Sequence, residues 1–66
     1  MSALNSIQKQ ALIDLKNRLK AEAETCYNLA SIEENEIKQW MYIAEEKVKE
    51  NIAKEIEDIL LMEEKA

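Results

Sequence analysis

Thr25-Cys26-Tyr27-Asn28-Leu29-Ala30-Ser31 is the one stretch of this chain that reads as able to break a helix. Thr, Cys, Asn and Ser are mediocre helix formers. Asn28 is a residue type that can take the left-handed conformation at a helix end. Ser31 and Glu34 fit a capping box, in which the hydroxyl accepts from a backbone N–H three residues on and the carboxylate reaches back. Glu33, Glu34 and Glu36 then fall in first-turn positions, where the helix dipole favours negative charge. Elsewhere the 66 residues hold neither glycine nor proline, so positive-φ turns and rigid corners are hard to make. The expected fold is all-α. It is an antiparallel helical hairpin with a helix over about 5–27, a turn over about 28–31 and a helix over about 32–64. One uninterrupted rod is the other fold such a composition permits.

The apolar pattern supports two helices. Asn5 and Ser6 are good N-cap types for the first. Leu4, Ile7, Ala11, Leu12, Leu15, Leu19, Cys26 and Leu29 recur at three- and four-residue spacings, so they share one stripe. In the second helix Ile37, Met41, Ala44, Val48, Ile52, Ile56 and Ile59 do the same, with a period nearer that of a straight helix than a strict heptad. That period favours a compact bundle over a long supercoil. The expected core is Leu12, Leu15, Leu19, Cys26, Met41, Ala44, Val48, Ile52, Ile56 and Ile59.

Unequal helix lengths carry the sharpest expectation. A second helix longer by roughly 16 Å projects beyond the first. Leu4 then lies near position 55, and Ile56, Ile59, Leu60, Leu61 and Met62 form an overhang in need of another chain.

The size points the same way. Residues 1–66 make one small hairpin domain at most, and a chain this short buries only ~60% of the surface its unfolded form exposes. Dimerisation into a four-helix bundle is the expected remedy. The single cysteine, Cys26, excludes an internal disulfide and fits a reducing, cytoplasmic setting. No apolar run approaches a membrane span, and no signal-peptide core opens the chain, so no membrane role is expected. Net charge is −5, but Lys9, Lys16, Arg18 and Lys20 against Asp14 leave the first 21 residues at +3. The acidic whole disfavours nucleic acid, while the basic first segment keeps a local exception open.

Candidate sites follow from these faces. Trp40 and Ile43, with Tyr42, occupy more of the helix circumference than one intramolecular stripe needs, and aromatics are enriched at binding hot spots. Together with Ile56, Ile59, Leu60 and Met62 they are the expected partner-binding residues, for a second copy or for another protein. Cys26 reads as a small core residue. Lys9, Ile13, Lys16 and Lys20 lie close together round the first helix, where cations flanking one apolar side chain could grip RNA phosphates. A dimeric bundle with cations so placed is similar in shape to the Rop family of plasmid copy-control proteins, which bind paired RNA loops. No sequence motif is shared, so no functional residue carries over.

Catalysis is not expected. The carboxylates of Glu55-Ile56-Glu57-Asp58 resemble the E-x-x-D element of the magnesium-dependent MazG-type pyrophosphohydrolases. Glu45-Glu46-Lys47-Val48-Lys49-Glu50 departs by one residue from that family's E-E-x-x-E element, and helix surfaces rich in Glu and Lys produce such spacings by chance. The chain lacks histidine for a Cys–His pair and glycine for a phosphate loop. No cofactor or metal is expected. The reading is a small non-enzymatic regulator, adaptor or inhibitor that works as a homo-oligomeric helical bundle on a partner's surface, with Rop-like RNA binding as the alternative.

Overall fold

The computed structural model describes residues 4–65. It contains two helices, α1 (Ser6–Ile32) and α2 (Glu36–Lys65), packed antiparallel in a hairpin of 51 × 16 × 11 Å. Asn5 is the N-cap of α1, as its residue type predicts. Its side chain accepts from the Gln8 amide at 2.8 Å while the Gln8 side chain accepts from the Asn5 amide at 3.0 Å, a complete capping box.

The turn is displaced from 28–31 to 33–35, and the helix boundaries move with it. Thr25 and Ser31 stay helical because their hydroxyls turn inward. Thr25 donates to the Ala21 carbonyl at 3.1 Å and Ser31 to the Asn28 carbonyl at 2.7 Å. Neither competes with the helix for an amide, so neither ends it. Three carboxylates end it instead. Glu33, Glu34 and Glu36 would extend α1 at its negative pole, whereas the same charges suit the positive pole of a new helix. Asn35 starts that helix by accepting from the Lys38 amide at 3.0 Å. Gln39 Nε2 then donates to the Ala30 carbonyl at 3.0 Å, which satisfies an orphan acceptor at the end of α1. Among the described residues none has positive φ, so the corner is made without a left-handed residue.

This displacement removes the predicted overhang. α1 has 27 residues and α2 has 30, which leaves a mismatch of only ~4.5 Å at 1.5 Å per residue. The Leu4 amide donates to Glu63 at 3.3 Å, so Leu4 lies beside position 63 and not 55. Ile56 is buried in the seam rather than projecting past it.

The seam is narrow. Its buried residues are Ala23, Cys26 and Ala30 from α1 with Ala53 and Ile56 from α2. Leu12, Leu15 and Leu19 are half-buried beside them. Three alanines and a cysteine at the contact let the helix backbones approach closely. The expected core is therefore corrected in α2: Met41, Ala44, Val48, Ile52 and Ile59 are exposed in the single hairpin.

Candidate functional site

The hydrogen bonds across the seam define two sides of the hairpin. On one, Lys49 bonds Glu22 at 3.0 Å and the Cys26 thiol bonds Glu45 at 3.4 Å. Glu22 lies seven residues from both Leu15 and Leu29 along α1. Glu45 lies four residues from Met41, three from Val48 and seven from Ile52 along α2. These offsets return to the same face of a helix. Several of the apolar residues left out of the seam, most of them from α2, therefore look out from this side, while Tyr27 and Leu61 lie on the other. Ile7 (80% exposed), Ile37 (72%) and Met41 (63%) lie along it, with Val48, Ile52 and Ile59. The result is an apolar side built mainly by α2, to which α1 adds Ile7 and Leu29, crossed by the Glu22–Lys49 pair.

The other side is mixed. Lys20 pairs with Glu57 across the seam. Lys9, Ile13 and Lys16 of α1 and Glu57, Leu60, Leu61 and Glu64 of α2 line an open groove of about 380 Å³. The hydrogen bond from Lys20 holds the Glu57 carboxyl below the ordinary range against partial desolvation, with further help from the Lys20 and Lys16 charges. The four residues of the predicted lysine face do share one side. They share it with carboxylates, a fact the first helix alone could not disclose. Lys20 is committed to Glu57, and Glu64 stands in the groove with Lys9 and Lys16.

The predicted partner-binding residues separate. Ile59 lies on the apolar side, whereas Met62 falls by its helical offset on the outer flank of α2. Trp40, 64% exposed, stands on the outer flank of α2. Ile43 and Leu60 are half-buried, Leu60 at the groove, and Tyr42 is half-buried rather than on the outer flank with Trp40. Ile56 is part of the seam and is not a surface residue.

Cys26 is a core thiol. Burial first, and its hydrogen bond to Glu45 second, raise its pKa above the ordinary 9.0. The neutral S–H form predominates, which is the inert condition of a thiol. Among the described residues no helix is long and apolar enough to cross a membrane.

Two groups on the apolar face escaped the sequence reading. Arg18 lies seven residues from Ala11 and three from Leu15; Glu55 lies three from Ile52 and four from Ile59. The helical offsets could have found both. No known protein family, curated protein or solved structure matches this chain.

Proposed function

We propose that this chain is a small non-enzymatic protein-interaction module that works as a homo-oligomeric helical bundle and acts by occupying another protein's surface. The apolar face carries this reading. Exposed apolar side chains gathered along one side of a helix in this way mark an interaction surface. Among the described residues the seam buries only five, too few to make a lone hairpin robust. Self-assembly covers the apolar face and leaves the outer flank with Trp40, and the mixed groove, for the foreign partner.

Sedimentation equilibrium across a concentration series, with helicity recorded on the same samples, tests the self-assembly. A helical dimer at low micromolar concentration is expected. Val48→Asp buries a charge in the assembled face and should convert the protein to a weakly helical monomer. A wild-type chain that stays monomeric and fully helical would refute the assembly.

The RNA-binding alternative rests on Lys9, Ile13, Lys16 and Lys20. Glu57 and Glu64 beside them repel phosphate, so the groove favours a partner carrying both signs of charge. Phosphate binding would weaken steeply with salt and fail in a Lys16→Glu, Lys20→Glu variant. Binding to a protein through Trp40 would tolerate salt and fail in Trp40→Ala.

A further inference from the structure

We propose that the apolar face is covered by a second copy of this chain whose two-fold axis runs parallel to the hairpin's long axis. Both 33–35 turns then lie at the same end, and α1 of each protomer packs on α2 of the other. The inference rests on the self-assembly proposed above and adds its geometry.

The occupant follows from shape. The face draws on both helices and runs along a 51 Å hairpin. A second hairpin offers a surface of the same length and ridge pattern, and closes the assembly without exposing new apolar area.

Charge chooses the axis. α1 (Ser6–Ile32) carries four cations and three acids, while α2 (Glu36–Lys65) carries five lysines and nine acids, a net of −4. An axis perpendicular to the helices would lay α2 on α2, acidic against acidic. The parallel axis lays α2 on the mildly basic α1. Salt screens such fields over ~8 Å at physiological ionic strength, about the distance between packed helices, so a close pair has to fix the choice. Arg18 and Glu55 supply it. Both lie on the apolar face, and neither has a hydrogen-bond or ion-pair partner among the described residues.

Register brings them together. The cross-seam bonds of Leu4, Lys20, Glu22, Cys26 and Ala30 set Arg18 level with positions between 49 and 59 of α2, with Ala53 at their mean. Glu55 is two residues further, ~3 Å along the axis. A two-fold axis along the hairpin preserves height, so Arg18 meets the partner subunit's Glu55, twice by symmetry. A perpendicular axis through the middle would set Arg18, one residue from the centre of α1, against the partner subunit's Arg18.

The test is double electron–electron resonance on nitroxide-labelled Glu34→Cys in a Cys26→Ala background, with mass measured on the same sample. A dimer with an inter-label distance under about 30 Å is expected, because both labels sit at one end. A dimer with a distance near the 51 Å length overturns the axis and leaves self-assembly intact. A monomer overturns both and gives the face to a foreign helix; a tetramer overturns the closed pair. In the otherwise unaltered chain, Arg18→Glu or Glu55→Arg should each weaken dimerisation about tenfold, and the double swap should restore it to within about threefold. Unchanged association in both single variants overturns the pairing.

Discussion

Ala53 sits at the tightest point of the hairpin, 1% exposed, and is small because the opposite helix leaves no room. With Ala23, Ala30 and Cys26 it sets how closely the helices pack. Ala53→Leu should cost about 1–3 kcal/mol through overpacking, seen as a lower thermal midpoint with helicity retained in the cold. Ile56→Ala opens a cavity in the same seam and should cost about 2–5 kcal/mol. Glu46 offers the opposite case. Partial desolvation first, and repulsion from Glu50 second, raise its pKa above 4.5. A raised carboxylate pKa means the charged form is disfavoured in the folded state. That penalty is absent in acid and develops as pH rises past about 4.5. Glu46→Gln should therefore raise the thermal midpoint at pH 7, and the gain should vanish near pH 3. Equal gains at both pH values would refute this account.

At the scale of the helices, the caps determine where the chain turns. Asn35→Ala removes the acceptor for the Lys38 amide and should cost about 1 kcal/mol. Ser31→Ala removes only a hydroxyl that donates back into its own helix, so denaturant unfolding should show a much smaller change. The reverse ranking would put the turn at 28–31. Asn5→Ala should also cost about 1 kcal/mol, read as fraying at the start of α1 by amide exchange. The sequence showed the cap of α1 at Asn5 but pointed to Ser31, not Asn35, for the start of α2. It did not show that Thr25 and Ser31 would be satisfied within α1, because a hydroxyl can serve an amide outside a helix or a carbonyl inside one with equal chemistry.

For the whole molecule, two cross-seam ties contribute to the pH dependence of stability. The Glu57 carboxyl is held low by Lys20, so its contribution is complete above about 4.5 and is lost as pH falls through its lower folded value. The Lys49 ammonium is raised mainly by its hydrogen bond to Glu22, so its contribution is complete below about 10.5 and is lost as pH rises through its higher folded value. Urea midpoints against pH should form a plateau with both limbs. Glu57→Gln should flatten the acid limb and leave the alkaline one. The proposed self-assembly predicts a thermal midpoint that rises with protein concentration, since association would stabilise only the folded chain.

By itself the sequence determined that this protein is built of long helix and nothing else, as a hairpin or as one rod. Without glycine or proline, and with apolar residues every three to four positions, little else satisfies the backbone. It also set the apolar sector of each helix, because helical offsets are fixed by geometry. Only the tertiary structure decided which part of that sector is spent. Two helices share one line of contact, and small residues win it because they allow the closest approach. Ala23, Ala30 and Ala53 therefore went into the seam, while Met41, Val48 and Ile52 were left to look outward. The turn at 33–35 set the register, and the register removed the overhang, joined Lys20 to Glu57 and left Met41, Val48, Ile52 and Ile59 facing out on one side. Those outcomes depend on how two helices meet, which neither helix encodes alone.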